Sequence, residues 1–160
     1  HVGRALGASR RQVPRTFSPL GGFVTKSRSA VFDPAGARLL DVRPGGQLFK
    51  LSYAVTGVAT GHYITPSIGP TKLSIGADNE PYGSIVGRGF KWIHDPTLTI
   101  LDHDDQPVGA IRSFPRRNNW SPTVDYVLSV KPTLRGELRR LLIAAPTVVA
   151  MVRRAQQQSR

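Results

Sequence analysis

The sequence predicts a mainly β fold, an antiparallel β-barrel wrapped around a buried hydrophobic helix at the carboxyl end. Short strand–turn–strand patterns recur through most of the 160 residues, and glycine and proline, with 16 and 13 residues, are frequent. Turns at this close spacing are typical of sandwiches and barrels. The one long apolar segment lies near the carboxyl end. Because an apolar helix must be surrounded by protein, we expect the sheet to curl around it.

Three segments carry the same hairpin pattern, in which two short apolar runs flank a polar turn. They span residues 29–42, 72–86 and 98–111. Their turns are rich in Asp, Asn, Gly and Pro, which bond the turn backbone or adopt the dihedral angles that it requires. Further strand candidates cover residues 48–55, 62–65, 90–94 and 124–130. The pattern predicts about ten antiparallel strands before Lys131.

A core helix is predicted over residues 133–154, with Thr133 as its N-cap. From residue 141 to residue 152 the segment is apolar on nearly every side, and Pro146 is expected to kink it. A helix of that length rises about 18 Å, less than the roughly 30 Å of a bilayer's hydrocarbon core. We therefore expect a helix buried in protein and no transmembrane span.

The predicted organisation has three parts: a basic arm over residues 1–20, a barrel domain with its core helix over residues 21–155, and a tail over residues 156–160. The arm is predicted to be loop-like because it contains cations and no acid. Those cations are Arg4, Arg10, Arg11 and Arg15.

Net charge is the most informative bulk property. Lys and Arg number 22 against 10 Asp and Glu, which gives a formal charge of +12. A field of this size favours a polyanionic partner, either anionic phospholipid or nucleic acid, the latter within a large assembly. Composition does not distinguish between these partners. The lack of cysteine excludes disulfides and cysteine-ligated metals.

The sequence shows no constellation that predicts an enzyme or a cofactor. The acids have no acid–base spacing, the four histidines have no zinc-ligand spacing, and no Gly-x-Ser-x-Gly motif occurs. Asp102, Asp104 and Asp105 form the densest acidic cluster and are a weak candidate for a metal site. Because the cluster lacks the glycine and the distal glutamate of an EF-hand, ordinary turn chemistry is the favoured interpretation.

The candidate contacts with an anionic ligand are arginines. Arg116 and Arg117 precede Trp120 in a segment predicted to be a loop tip, and this combination of cations with an aromatic ring is the favoured contact. Arginine pairs at both ends of the apolar helix complete the set: Arg139, Arg140, Arg153 and Arg154.

Two of these segments resemble the tubby C-terminal-like superfamily, which includes phospholipid scramblases and LURP-one-related proteins. Residues 99–111, Thr-Ile-Leu-Asp-His-Asp-Asp-Gln-Pro-Val-Gly-Ala-Ile, are similar to its strand–turn–strand repeat. Residues 126–152 are similar to its last strand and core helix, and the resemblance covers roughly residues 28–155. It implies a tubby-like barrel and lipid association. The acidic calcium segment and the cysteine-rich region of scramblases have no counterpart here, and no phosphoinositide-binding set can be mapped.

Two functions of different classes follow. The first is a non-catalytic module that binds an anionic surface, acidic phospholipid at a membrane face, in an intracellular, membrane-peripheral protein. The alternative is a structural accessory subunit of a ribonucleoprotein or other large assembly, in which the arm and the residues from Arg153 onward grip phosphates. The arm discriminates between them, because a lipid-binding module does not need it.

Overall fold

A computed structural model of the protein describes residues 9–12, 28–45, 51–65, 72–88, 92–118 and 121–158. Ten strands form one antiparallel sheet in which each strand pairs with the next along the chain. The strands are β1 (Ser9–Gln12), β2 (Arg28–Phe32), β3 (Arg38–Gly45), β4 (Ser52–Gly57), β5 (Gly61–Ile64), β6 (Lys72–Ala77), β7 (Glu80–Val86), β8 (Thr97–Asp102), β9 (Pro107–Asn118) and β10 (Ser121–Val130). The helical elements are a 3-10 turn (Trp92–His94), α1 (Glu137–Leu141), a second 3-10 turn (Leu142–Ala144) and α2 (Ala145–Gln158).

The three predicted hairpins are confirmed as β2–β3, β6–β7 and β8–β9. Asp78 and Asn79 form the tightest turn, with φ angles of 47° and 66°. This left-handed region is what a two-residue type I′ turn requires and what Asn and Asp tolerate. In the turn before β9, Asp102 Oδ1 accepts the backbone N–H groups of Asp104 and Gln106, each at 2.9 Å. Acidic residues in these turns therefore have a folding role.

The sheet curls as a half-barrel around the carboxyl-terminal helices, so the fold is mainly β, as predicted. Apolar side chains at alternate strand positions face the helices and form one core with them. Fully buried members include Leu40, Tyr63, Leu73, Ile85, Ile100, Ile111, Leu141 and Val148. Within the described strands no backbone pairing joins β1 to β10, so the sheet keeps two edges.

The buried helix is present, but its bounds differ from those predicted. Helix α1 begins at Glu137, after Gly136 with a φ angle of 83°, and Thr133 lies in the turn that follows β10. Helix α2 continues to Gln158, beyond the predicted end at residue 154. None of the helices in the described ranges has the length and apolar character needed to cross a bilayer.

Pro146 follows a change of helix type instead of kinking a continuous helix. The 3-10 turn ends at Ala144, and Pro146 is the second residue of α2. In the first turn of a helix a missing N–H costs little, because that donor has no partner within the helix. The proline therefore fits the start of α2.

Two other predictions of local structure are wrong. Trp92–His94 is a 3-10 turn and not the end of a strand, and residues 90 and 91 of that prediction lie outside the described residues. Within the predicted loop-like arm, Ser9–Gln12 is a strand that pairs with residues 28–31. The edge of β2 offers backbone donors and acceptors, and pairing satisfies them whatever the charge of the side chains.

A buried hydrogen bond fixes the helices to the sheet. The Tyr63 hydroxyl on β5 donates to the Leu141 carbonyl oxygen at 2.6 Å. In a regular α-helix that oxygen would accept from the N–H of Ala145, which here donates to Leu142 instead. Gly61 permits the close approach, because a Cβ at this position would lie 2.8 Å from Leu141 Cδ1.

Tyr63→Phe is expected to lower the free energy of unfolding by about 0.5–1.5 kcal/mol, because a buried hydrogen bond between the sheet and the helices is lost. Urea unfolding followed by circular dichroism measures the loss. Tyr53, the cross-strand neighbour of Tyr63 on β4, is the matched control, since it is also buried and makes no described hydrogen bond to the helices. Equal losses in Tyr63→Phe and Tyr53→Phe would contradict a specific role for the bond.

Stability is expected to fall as the pH rises above the ordinary tyrosine pKa of 10.0, because both buried tyrosines resist ionisation. Burial raises the pKa of Tyr53 to about 12 and also raises the pKa of Tyr63. The unfolded chain loses these protons first, so stabilisation that is complete below the unfolded pKa is lost as the pH rises towards the folded-state values. A pH series of urea midpoints measures the decline. The double variant Tyr53→Phe/Tyr63→Phe should decline less steeply, and an unchanged slope would assign the effect to other groups.

Candidate functional site

The longest hairpin of the sheet, β9–β10, projects beyond its neighbours. Strand β9 pairs with β8 as far as Arg112, and the Ser113 N–H then donates to the Pro96 carbonyl oxygen at 2.8 Å. Residues 114–118 and their partners 121–125 continue as a two-stranded ribbon, with no further described strand on either side. Both edges of this ribbon are therefore without a described partner strand, and side chains on both faces, such as Phe114 and Val124, are exposed.

One face of the β9–β10 hairpin alternates cations with an aromatic ring. Successive side chains of a strand point to opposite faces, so Arg112, Phe114 and Arg116 share a face, and all three are exposed. The register places Val127 opposite Arg112 and Asp125 opposite Phe114. This face therefore combines basic, aromatic and aliphatic groups within a few residues.

Large apolar side chains are exposed on the same hairpin. The exposed fractions are 49% for Phe114, 45% for Val124 and 44% for Val127. Val124 pairs with Pro115 and therefore lies on the opposite face from Phe114. It is exposed because the ribbon extends past the core. Exposed apolar side chains grouped in this way mark an interaction site, whereas single ones need no explanation.

The predicted loop tip is partly a strand. Arg116 and Arg117 belong to β9, which ends at Asn118, because cross-strand pairing continues to the end of the hairpin. The side chain of Arg117 and the whole of Trp120 lie outside the described residues. Arg116 forms an exposed ion pair with Asp125, which partly neutralises its charge.

Arg153, predicted to contact an anionic ligand, attaches the core helix to the sheet. Its guanidinium donates to the carbonyl oxygens of Ile93 and Asp95, the second at 2.7 Å. It also lies 5.3 Å from the centre of the Tyr126 ring on β10, within the range of a cation–π contact. The Asp95 carboxylate in turn accepts the backbone N–H of Arg88. The structure therefore gives Arg153 a positioning role at the base of the projecting hairpin.

The other predicted arginines of the helix differ in their contacts. Arg139 donates to the carbonyl oxygens of Lys131 and Leu134, at 3.3 and 3.2 Å, and so satisfies backbone acceptors before α1. Arg140 pairs at 2.8 Å with the glutamate that begins its own helix. Arg154 is exposed on α2. Arg139 and Arg140 lie at the opposite end of the sheet from Arg116, and neither Arg153 nor Arg154 has a described contact with Arg116.

The basic arm is described only in part. Arg10 and Arg11 lie in β1, which pairs with β2, and their side chains are outside the described residues. Arg4 and Arg15 are wholly outside them. Strand pairing holds the described part of the arm against one edge of the sheet.

The acidic cluster Asp102, Asp104 and Asp105 is a turn. One oxygen of Asp102 already accepts two backbone N–H groups, and Asp105 adopts a left-handed φ angle of 58°. Among the residues described, no group of three or more His, Cys, Asp or Glu side chains is arranged to hold a metal ion.

The sequence did not predict three members of this surface: Val124, Asp125 and Val127. Each fits an ordinary strand pattern. Val124 is exposed because β9 and β10 extend beyond β8, whereas Asp125 and Val127 lie on the face of the sheet that points away from the core. One signal was available, since Arg112, Phe114 and Arg116 have the alternate spacing of a single strand face.

Comparisons of the chain with protein-family models, with curated proteins and with solved structures find no match. A functional assignment therefore depends on the geometry and charge of the molecule itself.

Arg153→Lys is expected to lower the free energy of unfolding by about 1–3 kcal/mol, because an ammonium group cannot bridge two carbonyls and stack on a ring at once. The neighbouring change Arg154→Lys is the control, since Arg154 is exposed, and it is expected to alter stability by less than about 0.5 kcal/mol. Urea unfolding compares the two variants. Equal effects would contradict the positioning role of Arg153.

Proposed function

We propose that this chain is a non-catalytic module that binds anionic phospholipid at a membrane face through the β9–β10 hairpin. One observation carries the proposal: Phe114, Val124 and Val127 are exposed together with Arg112 and Arg116 on a hairpin whose end projects beyond the rest of the sheet. Such a ribbon can enter the headgroup region without disturbing the core, because the core packs against the part of β9 that also pairs with β8.

Both kinds of side chain on the ribbon favour a bilayer surface. Aromatic rings settle at headgroup level, and burial of apolar surface contributes roughly 25 cal/mol per Å². Basic side chains near an anionic leaflet contribute about 1 kcal/mol each. A hairpin with both contacts binds an anionic membrane more tightly than a neutral one, and added salt weakens only the electrostatic part.

The proposal includes a tubby-like fold. A curled antiparallel sheet around a carboxyl-terminal helix is the arrangement that the resemblance implies, and lipid association is a tendency of that superfamily. The half-barrel and its buried helix support this part of the proposal. Lipid binding by the hairpin has its own support in the exposed side chains and does not depend on the resemblance.

A subunit of a ribonucleoprotein or other large assembly is the alternative. The formal charge of +12 favours nucleic acid as much as lipid. However, contact with phosphates requires no exposed valines, and Arg153, at the start of the predicted gripping tail, is engaged within the protein. Lipid is therefore the better-supported partner, and RNA binding becomes an outcome of the test.

Phe114→Ser is expected to bind vesicles of phosphatidylserine and phosphatidylcholine about tenfold more weakly than the unmodified protein, and Val124→Ser about threefold, because less apolar surface enters the membrane. Val58→Ser is the matched control. Val58 is 51% exposed but lies in the turn between β4 and β5, away from the hairpin. Co-sedimentation measures binding, and urea midpoints check that each variant is folded.

In the same assay Asp125→Asn should strengthen binding about fivefold, since it removes a negative charge beside the membrane and releases Arg116 from its ion pair. Equal binding by Val124→Ser, Val58→Ser and Phe114→Ser would contradict insertion of the hairpin. Binding of random RNA without binding of vesicles, lost when residues 1–15 are deleted, would favour the assembly subunit.

A further inference from the structure

The strand order gives the half-barrel two chemically different ends. Because every strand pairs antiparallel with the next, connections alternate between the ends. One end, called the turn end, holds the connections 33–37, 58–60, 78–79, 103–106 and 131–136. The other, called the hairpin end, holds the tip of β9–β10. The carboxyl-terminal helices start at the turn end and reach the hairpin end, where Arg153 bonds Asp95.

Acidic residues are concentrated at the turn end. All ten acids of the chain lie within the described residues, so none is missing from this comparison. Seven are at the turn end: Asp33, Asp78, Glu80, Asp102, Asp104, Asp105 and Glu137. Asp41 lies within β3. Only Asp95 and Asp125 lie at the hairpin end, and both are engaged, by Arg88 N–H and by Arg116.

The exposed cations at the hairpin end come from many elements of the fold. They are Arg28, Arg43, Lys72, Arg88, Arg112, Arg116 and Arg154. Of these seven side chains, Arg116 alone has an ion-pair partner within the described part of the chain. The cations of the turn end, by contrast, lie among seven acids, and Arg140 pairs with Glu137. The molecule is therefore electrically polar along the direction of its strands.

We propose that the whole hairpin end, and not the hairpin alone, is the docking face for an anionic bilayer, and that the acidic turn end faces away from it. This inference depends on the proposed function, which it extends from one hairpin to an orientation of the molecule. Charge complementarity identifies the partner as an extended anionic surface, since cations on β2, β3, β6, β9 and α2 cannot all meet one small ligand. The hairpin supplies apolar contacts, and the surrounding cations hold the hairpin end against the leaflet. The acids of the turn end are repelled by the same leaflet.

Two lysines allow a matched test of this orientation. Lys72 begins β6 at the hairpin end, and Lys131 follows β10 at the turn end; both are exposed. Lys72→Gln is expected to weaken binding to vesicles of equal parts phosphatidylserine and phosphatidylcholine about fivefold, the effect of about one cation at an anionic surface. Lys131→Gln, which removes the same charge, should leave binding within about twofold of the unmodified protein, because its site lies beyond a Debye length from the leaflet.

The chain has no cysteine, so single cysteines can report the orientation directly. Three exposed positions are each changed to cysteine: Thr123 at the hairpin end, Thr56 on β4 and Ala35 at the turn end. Each variant is labelled with an environment-sensitive dye and mixed with the same vesicles. The emission of the dye at residue 123 should shift to the blue when vesicles are added, and a lipid-bound quencher should reduce it. The emission of dyes at residues 35 and 56 should change neither in wavelength nor in intensity.

The outcomes separate the orientation from the function. Equal weakening by Lys72→Gln and Lys131→Gln, or a response at residue 35 or 56 as large as that at residue 123, would overturn the docking face while vesicle binding itself stood. Absence of vesicle binding by the unmodified protein would overturn both. Binding that requires anionic lipid, weakens only with Lys72→Gln and shifts only the dye at residue 123 would support the hairpin end.

Discussion

The rest of the structure depends on the fit between an apolar helix and a sheet with one apolar face. A helix that is apolar on nearly every side needs to be surrounded, and the concave face of the sheet needs a cover, so each is stable only against the other. The Tyr63 hydroxyl completes this fit, because it donates to the Leu141 carbonyl oxygen at the change of helix type. The N–H of Ala145, which would bond this oxygen in a regular α-helix, donates to Leu142 instead. At the far end of the helix, Arg153 bonds the segment before β8 and stacks on Tyr126. The projecting hairpin therefore begins at a fixed base.

Turn chemistry explains one half of the charge pattern. Asp and Asn are favoured in tight turns because their side chains bond nearby backbone and tolerate left-handed angles. Asp33 accepts the N–H of Ala37 at 2.8 Å, Asp78 has a positive φ angle, and Asp102 accepts two N–H groups. Because sequential pairing collects the short turns at one end, that end becomes acidic as a result of folding requirements. No comparable requirement applies to the cations at the other end.

Features set by local chemistry could be predicted from the sequence, and features set by distant contacts could not. The hairpins were recognisable because turn residues act on their own backbone, and the buried helix because its apolar surface is too large for solvent. The role of Arg153 was hidden, since its partner Ile93 is 60 positions away. The strand at Ser9–Gln12 exists because β2 provides an edge. Similarly, Val124 is exposed because β8 is shorter than β9 and β10, which no pattern within β10 reveals.

The cations of the hairpin end oppose the stability of the isolated chain. Like charges repel, and within the described residues no ion pair joins Arg43, Lys72 or Arg112 to an acidic side chain. A mixed surface would keep the protein soluble without this repulsion. An anionic surface supplies the missing countercharge, so the arrangement that is unfavourable in solution stabilises the bound state. Since the same surface repels the turn end, the charge that drives association also orients the hairpin towards its target.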